Sequence, residues 1–478
     1  MSTRHTSLRR MTRSALPAWR VVSLGLVLLW TSGAVAQEKR PFFPSNQTTP
    51  SGKTVPLEHY AKNSDCLRCH GEIGKQWKGS MHAGAIADPV FLALYRMGSE
   101  QTNGLTDKLC AGCHSSPAVI SGHSAPDDVL KLGEPASEGV SCVVCHSVTG
   151  VNLPSPDQTP SNAGFVTDPG GPISAARALR TCALEGRDTV KIELLGKSEF
   201  CATCHGVVHP LNGFVIERTY DEWRTSIYAA KGIQCQDCHM QPLDKAIQTA
   251  KTLKRVPNPG RVTDTGPPRS HTYTHEFIGA NAVVTGLMGN QEHSAMSEKL
   301  LQSAASIELS LAETPKKGRT VQLRVKVNNE TAGHNLPTSL VEVRQMWLDV
   351  QVTDADGQEL FRSGAIDENG DIDKDAVMYH GVAVDADGKP TVLPWAMERF
   401  VYFHTIPPKG YVLERYAFAV PRGAREPFAA KATLRYRSFP QSVANLLLGD
   451  GAPTVPVIDM TSAELKLKLR SKKKKDKE

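Results

Sequence analysis

Long apolar runs are nearly absent from this chain. The single such run, VVSLGLVLLW at residues 21–30, follows five arginines with no acidic residue and precedes AVA at residues 34–36. That order is typical of a secretory signal peptide, and the run is shorter than the ~20 apolar residues of a membrane span. We therefore predict that residues 1–36 are removed and that the protein is exported, to the periplasm or outside the cell. An uncleaved anchor, leaving the protein membrane-associated, is the alternative.

A strong net charge is also missing from the body of the chain. The formal charge of +6 includes the five leader arginines, and the tail KLKLRSKKKKDKE carries eight basic and two acidic residues. Without both ends the remaining chain has a charge of −5, which argues against nucleic acid as a partner. The tail, residues 466–478, is predicted to be a disordered solvated end, with contact to an acidic partner or anionic surface as the alternative.

Cysteine is confined to the first half of the chain and, with one exception, to one pattern. No cysteine follows Cys238, and ten of the eleven occur as Cys-x-x-Cys directly followed by histidine. The five motifs, numbered 1 to 5 in chain order, are Cys66–His70, Cys110–His114, Cys142–His146, Cys201–His205 and Cys235–His239. A disulfide framework, a zinc site or a thioredoxin-like redox pair would also use paired cysteines, but none of them requires the histidine five times.

The repeated pattern is that of covalent c-type haem attachment. Two thiols bond to the haem vinyl groups, and the adjacent imidazole becomes the proximal ligand of the iron. Export agrees with this interpretation, because unclaimed thiols in an oxidising compartment tend to form disulfides. We predict five c-type haems, held by Cys66, Cys69, Cys110, Cys113, Cys142, Cys145, Cys201, Cys204, Cys235 and Cys238. The proximal iron ligands are then His70, His114, His146, His205 and His239.

The motifs lie too close together for an ordinary side-chain core. Only 174 residues separate the start of motif 1 from the end of motif 5, so the haems must supply much of the buried apolar surface. After an extension at residues 37–59, we expect short helices and loops around closely spaced haems over residues 60–295. The remaining cysteine, Cys182, is interpreted as a buried thiol, with an intermolecular disulfide or a lost haem site as alternatives.

The hydrophobic period changes after about residue 314. Alternation in VQLRVKV, RFVYFHTI, YVLERYAFAV and ATLRYRSF predicts strands, and MWLDVQVTDADGQELF predicts two strands joined by a turn at Asp354–Gly357. Six or seven short strands favour an antiparallel β-sandwich over residues 296–465, which makes the fold class α+β. A helix at Met296–Ser310 is expected to join the two parts. The strand-rich part is interpreted as a scaffold, lid or docking surface.

The sixth iron ligand decides between electron transfer and catalysis, because a second histidine closes an iron and a missing one leaves it open. We expect His82 on a helix in QWKGSMHA and His334 in a tight loop between strands in AGHNLPT. His271 and His275 would share one face if RSHTYTHEF is helical. The candidate distal ligands are His82, His275, His334, His271, His123 and His209.

Several stretches together resemble a known family. They are CLRCHGEIGKQWKGSMHAGAIADPVF, EGVSCVVCHSVTG, TYDEWRTSIYAAKGIQCQDCHM and HEFIGAN, followed by AGHNLPT and RQMWLDVQVTDADGQELFRSGAI. In this order they resemble the multihaem c-type cytochromes related to the tetrahaem cytochrome that accepts electrons in ammonia oxidation. The resemblance implies distal ligands at His82, His275 and His334. It also marks a departure, since Tyr228 stands where a histidine is expected after Trp223 and Ser226, and this puts one sixth ligand in doubt.

The resemblance implies an electron-transfer protein rather than an enzyme, with single electrons passing along mostly bis-histidine haems. Redox proteins of a respiratory chain, or an extracellular acceptor, would be its partners. One alternative is an oxidoreductase with an open haem that acts on a small nitrogen or sulfur compound, although the Cys-x-x-Cys-Lys motif common in pentahaem nitrite reductases is missing here. Another is an electron-conducting structural subunit of a membrane complex or homo-oligomer. Fold analogy alone does not decide among these activities.

Overall fold

Short helices and loops make up the motif-rich part of the chain in this computed structural model, which describes residues 40–153, 159–176 and 187–469. The predicted signal peptide, Cys182 and the end of the basic tail lie outside these residues. The described helices are α1 Asn63–Leu67, α2 Gly71–Lys78, α3 Met81–Gly84, α4 Pro89–Gln101, α5 Asp107–His114, α6 Ser116–Ile120, α7 Pro126–Val129, α8 Cys142–His146, α9 Ser198–Ala202, α10 Thr219–Arg224, α11 Ile227–Ala230, α12 Gln236–His239, α13 Leu243–Thr252, α14 Ala282–Leu287, α15 Gln291–Ala304 and α16 Gln441–Leu448.

The described strands before residue 300 have two to four residues, and every described strand of seven or more residues follows it. The described strands are β1 Val148–Val151, β2 Phe165–Thr167, β3 Ile173–Ala175, β4 Thr189–Lys191, β5 Val207–Val208, β6 Val215–Glu217, β7 Ala305–Leu311, β8 Arg319–Asn329, β9 Gln345–Thr353, β10 Glu359–Ser363, β11 Met378–Tyr379, β12 Gly381–Val384, β13 Pro390–Thr391, β14 Arg399–Phe403, β15 Tyr411–Val420, β16 Phe428–Arg437 and β17 Ile458–Leu467. The α+β class and the antiparallel strands of the second part are thereby confirmed.

Two antiparallel sheets dominate the strand-rich part. One has the order β10-β9-β16-β17, with β11 also paired to β9, and the other has the order β15-β8-β7. Alternate side chains of β8, β9, β15 and β16 belong to one buried cluster, in which Leu323, Leu348 and Leu434 have no exposed surface. Alternation places one face of each strand in this core, as the sequence pattern indicates. The β-sandwich itself stays a prediction.

The turn predicted within MWLDVQVTDADGQELF is present. Gly357 donates its backbone N–H to the carbonyl of Asp354 at 3.0 Å and has a φ of +79°, which glycine adopts without steric cost. The strands on either side, β9 and β10, pair with each other.

The helix expected at Met296–Ser310 is correct only in its first half. Helix α15 ends at Ala304, and the chain continues directly into β7, which pairs along its whole length with β8. The segment ASIELSL alternates apolar and polar residues, so its period of two fits a half-buried strand beside β8. Without knowledge of β8, the same residues can be interpreted as a continuation of the helix.

The helix considered for RSHTYTHEF is wrong. Residues 271–281 are irregular, and this extended segment is fixed on both sides by backbone bonds, from Thr272 N to the carbonyl of Asn258 and from Thr274 N to the carbonyl of Met240. These bonds leave no backbone N–H free for a helical ladder at either position.

The two predicted parts are continuous in space. Contacts group residues 41 onward into one compact unit, so the boundary placed at 295/296 falls inside that unit and stays a prediction. Within the described residues, no helix is both long and apolar enough to cross a membrane.

Candidate haem-binding site

Each motif contains the helical turn that the attachment chemistry needs. Motifs 2 and 3 lie within α5 and α8, and in motifs 1, 4 and 5 the histidine N–H bonds to the carbonyl of the first cysteine at 2.9–3.0 Å. This turn places the two thiols near each other with the imidazole on the next position. In the described part of the chain the ten motif cysteines are free thiols, and no group of three metal-binding side chains could hold a metal ion. The disulfide and zinc alternatives therefore gain no support.

The motifs lie beside one another in a defined order. The thiols of Cys66 and Cys142 lie close enough for their interaction to raise the pKa of Cys142. Motifs 1 and 3 are therefore adjacent. In the same way Cys204 raises the pKa of Cys113, and Cys235 raises the pKa of Cys201. Motif 4 is therefore adjacent to motifs 2 and 5, and it is also near motif 3, because Cys145 contributes to the raised pKa of Cys201.

Four of the five proximal histidines are oriented by backbone carbonyls. The Nδ1 atoms of His70, His114, His146 and His239 lie 2.5, 2.8, 2.6 and 2.7 Å from the carbonyl oxygens of Val262, Ala85, Ser174 and Ile278. An Nδ1–H that donates to a carbonyl fixes the tautomer and leaves Nε2 for a metal. The chain therefore presents the imidazole nitrogen that haem ligation uses.

His205 in motif 4 is the exception. Its Nδ1 lies 3.5 Å from a carboxylate oxygen of Glu217, the last residue of β6. Nothing in the sequence pattern around Glu217 indicated this role, because the contact depends on the pairing of β6 with β5.

His82 lies opposite His205. It sits on the short helix α3, which Ser80 caps by accepting the backbone N–H of Ala83. The ring centroids of His82 and His205 are 6.3 Å apart. Two imidazoles on opposite sides of one metal have centroids roughly 6 Å apart, given a metal–nitrogen bond of about 2 Å. The separation therefore fits one metal between them.

The charge state of His82 agrees with ligation. Burial, and after it the charge of the nearby His205 imidazole, lowers the pKa of His82 to about 3. Its Nδ1 is buried with no hydrogen-bond partner among the described residues. A buried, neutral and unpaired imidazole is costly unless something binds it, and the neutral form is the metal-binding one.

His334 lies opposite His239 in the same way. Their ring centroids are 6.3 Å apart and the planes differ by 13°. The loop between β8 and β9 carries His334, as predicted, and its Nδ1 lies 2.9 Å from the carbonyl of Asn335. Burial lowers the pKa of His334 to about 4, so this ring is also neutral.

Glu222 of α10 holds the His334 loop in place. One of its carboxylate oxygens accepts the backbone N–H of Asn335 at 3.1 Å and the hydroxyl of Thr338 at 2.6 Å. The strand-rich part thus provides an imidazole to motif 5, and a carboxylate of the motif-rich part fixes the loop. No pattern in the sequence indicated this role of Glu222.

The segment around Tyr228 repeats the structure of the segment around His82, with a tyrosine in place of the histidine. Trp77 and Trp223 each donate Nε1–H to a backbone carbonyl at 2.9 Å, and Ser226 caps α11 much as Ser80 caps α3. Tyr228 stands on α11 in the place of His82, but its hydroxyl donates to the carbonyl of Ala250 at 3.1 Å.

His334 supplies the imidazole that Tyr228 does not. Gly333 lies against the Tyr228 ring, since a Cβ added to this glycine would be 3.5 Å from Tyr228 Cγ. The loop from the strand-rich part therefore packs on the tyrosine and places the neighbouring His334 opposite His239.

His275 lies beside motifs 1 and 3. Burial lowers the pKa of His275 to about 3, and the charges of His146 and His70 make smaller contributions to this shift. Its Nδ1 is buried without a partner within the described ranges. Its backbone N–H is fixed by the side chain of Gln76 on α2 at 3.0 Å.

Among the described ring contacts, none joins the other three candidates to a motif histidine, although His271 lines the same cavity as four of the motifs. His123 is exposed. His209 has its Nε2 3.0 Å from the carbonyl of Trp395 and accepts the backbone N–H groups of residues 211 and 212 at Nδ1. His271 accepts the N–H of Asn258 at Nδ1, and its Nε2 lies 3.0 Å from the amide of Gln241. Protein groups already engage both nitrogens of His209 and His271, which argues against iron ligation there.

Motif 2 differs from motifs 4 and 5. The ring of His114 is stacked on Phe91 of α4 at 3.6 Å with an angle of 1° between the planes. Among the described residues, the ring contact recorded for His114 is this phenylalanine and not a second histidine.

A connected cavity of about 1060 Å³ joins the other four motifs. Its walls include cysteine and histidine side chains of motifs 1, 3, 4 and 5, together with His82, His275 and His334. Motif 2 does not line it. The volume is at the upper end of the range for ligand sites. The cavity, the oriented proximal rings and the buried distal rings together fit c-type haem.

Comparison with known proteins agrees with this assignment. The family model described as cytochrome c554 and c-prime matches residues 65–147, which hold motifs 1 to 3. The structure is similar to that of a penta-heme cytochrome c552 from Thermochromatium tepidum, with 18% identity and a TM-score of 0.61, covering 86% of this chain and 100% of that one. These findings support a multihaem c-type cytochrome.

The remaining comparisons add little. The CARDB domain of a Pyrococcus furiosus protein matches with 10% identity over 34% of this chain and 86% of that one, but its TM-score of 0.15 carries no argument. The comparison with curated proteins gave no match. At 18% identity the cytochrome c552 likeness concerns the fold alone, and the link to ammonia oxidation stays a prediction.

Proposed function

We propose that the protein is an exported pentahaem c-type cytochrome that carries single electrons between redox proteins, along closely spaced haems that are mostly bis-histidine. Each haem iron, when bound, alternates between Fe(III) and Fe(II) and so holds one electron. The observation that carries the proposal is the 6.3 Å separation of the ring pairs His82–His205 and His239–His334. An iron closed on both sides by imidazole has no position for a substrate.

The side chains then have distinct roles. Carbonyls hold the proximal rings of motifs 1, 2, 3 and 5 in one orientation, while His82 and His334 would be the distal ligands of the irons held at motifs 4 and 5. His275 is proposed to close an iron within the pair formed by motifs 1 and 3. Burial keeps these histidine rings neutral, so that they could bind iron.

Low-temperature electron paramagnetic resonance on the oxidised, haem-loaded protein tests the proposal. We expect low-spin signals from the bis-histidine haems that do not respond to nitrite or hydroxylamine. Mass spectrometry of the intact protein should show five haems attached to a chain that begins after residue 36. Mostly high-spin signals that shift with both compounds would contradict electron transfer as the main function.

A second candidate function is catalysis at one open iron. The observation that favours it is motif 2, where Phe91 contacts the proximal ring and no facing histidine ring is recorded among the described residues. A high-spin component that changes with nitrite or hydroxylamine, and that persists in a Tyr228→Phe variant, would assign this activity to motif 2 instead of the haem near Tyr228.

A further inference from the structure

A negative charge distinguishes motif 4 from the other motifs. The Nδ1 atoms of the other proximal histidines lie next to neutral carbonyls, whereas His205 Nδ1 is 3.5 Å from Oε1 of Glu217. Two opposite or partial charges at this distance inside a protein interact far more strongly than in water. The fourth site is therefore the one whose iron ligand has a carboxylate behind it.

The fold holds Glu217 in this position. Strand pairing sets Glu217 opposite Val207, two residues after His205. Its side chain is 9% exposed, and the hydroxyl of Thr219 donates to the same carboxylate oxygen at 3.4 Å. Across the described ranges, the ion-pair partner recorded for Glu217 is His205, and no lysine or arginine competes for it.

We propose that Glu217 lowers the reduction potential of the haem at motif 4 below those of the neighbouring haems. This inference rests on the proposed electron-transfer function. Reduction of Fe(III) to Fe(II) removes one positive charge, so a fixed carboxylate behind the proximal ligand stabilises the oxidised state more than the reduced one. Glu217 is thus a positioning and tuning residue that does not touch the iron.

Because motif 4 is adjacent to motifs 2 and 5, the charge of Glu217 would affect electron transfer between those motifs. Thiol contacts link motif 4 to motif 2 through Cys113 and Cys204, and to motif 5 through Cys201 and Cys235. An electron that passes between motifs 2 and 5 by way of motif 4 would reduce the haem held there before it moves on. If the haem at motif 4 has the lowest reduction potential, transfer of an electron onto it from motif 2 or motif 5 is energetically unfavourable.

Redox titration of a Glu217→Gln variant, followed by absorption and electron paramagnetic resonance, tests the inference. We expect one of the potentials to rise, with the reduction equilibrium of that haem shifted at least tenfold, about 59 mV for a one-electron couple. The other potentials should move less. The shifted low-spin signal should be the one that a His82→Ala variant converts to high spin.

Two controls separate charge from structure. Glu217→Asp keeps the charge and should give a smaller shift than Glu217→Gln. Glu342→Gln changes another buried carboxyl, but burial raises the pKa of Glu342 to about 8, so the group is uncharged at neutral pH and the potentials should not move.

The outcomes distinguish this inference from the proposed function. Unchanged potentials in Glu217→Gln, or equal shifts in Glu217→Gln and Glu217→Asp, would overturn the role of Glu217 and leave the multihaem electron carrier standing. A wild-type protein whose haems do not titrate as one-electron couples would overturn the proposed function itself.

Discussion

Single side chains decide whether each iron is closed, and His82 is the clearest case. We expect His82→Ala to convert the low-spin signal of one haem to high spin, because no other imidazole lies opposite His205 among the described ring contacts. Added imidazole should restore the low-spin signal by entering the space left by the side chain. Electron paramagnetic resonance and absorption spectra measure both effects.

His123→Ala provides the matched control for His82→Ala. His123 is exposed and should leave the spectrum unchanged. An unaltered spectrum in His82→Ala would remove His82 from the ligand set.

A second residue-scale prediction concerns Glu342, whose two carboxyl oxygens are buried with no hydrogen-bond partner within the described chain. Burial raises its pKa from 4.5 to about 8. Between these values the folded state binds more protons than the unfolded state, so this group makes the protein less stable as pH rises. Glutamine cannot ionise, and Glu342→Gln should therefore gain stability relative to wild type between pH 5 and pH 9. At about 1.4 kcal/mol per pKa unit, the gain is a few kcal/mol.

Thermal melting followed by circular dichroism at the two pH values measures this difference. Glu308→Gln is the control, because the side chain of Glu308 bonds to Lys326 at the surface of β7 and should show no growing advantage. A constant difference between Glu342→Gln and wild type across the range would show that Glu342 ionises normally.

At the scale of elements, the repeated unit of tryptophan, capping serine and short helix allows a ligand exchange. His334→Ala should make the haem at motif 5 high spin. Adding Tyr228→His should return it to low spin at least in part, because α11 repeats the cap and anchor of α3 and Tyr228 lies beside Gly333 and lines the same cavity. The spin states of the single and double variants measure the exchange.

Phenylalanine offers the control for this exchange. A Tyr228→Phe variant in the His334→Ala background removes the hydroxyl without adding an imidazole, and it should stay high spin. If His334→Ala alone remained low spin, the assignment of His334 to motif 5 would be wrong.

The same elements show what the sequence can and cannot reveal. Repetition revealed the five motifs and alternation revealed β8, β9 and β15, because these signals lie within a few adjacent residues. The ligand role of His82 stays a prediction, which its position 6.3 Å from the His205 ring supports. The end of α15 at Ala304 and the extended course around His271 depend on pairing with distant segments. Glu217 and Glu222 acquire their contacts only when distant segments meet, so local pattern gave no indication of them.

At the scale of the whole molecule, the strand-rich part is more than a separate appendage, because it supplies His334 to motif 5. The His334 loop is joined to the strands by Asn329, whose side-chain amide donates to the carbonyls of His334 and Ile406. Glu222 ties the same loop to the motif-rich part. The ligation of one haem and the packing of the strands should therefore be coupled.

This coupling predicts that Leu323→Ala affects a haem it does not touch. Leu323 of β8 has no exposed surface in the strand core, and the cavity left by truncation costs about 2–5 kcal/mol. In a denaturant titration, the midpoint for strand unfolding by hydrogen exchange and the midpoint for loss of the low-spin signal at motif 5 should both fall, and by the same amount. In a His334→Ala background the haem transition should no longer follow the strands, because that connection has been removed. Strands that unfold while the motif 5 haem keeps its low-spin spectrum would show that another side chain, outside the strand-rich part, closes that iron.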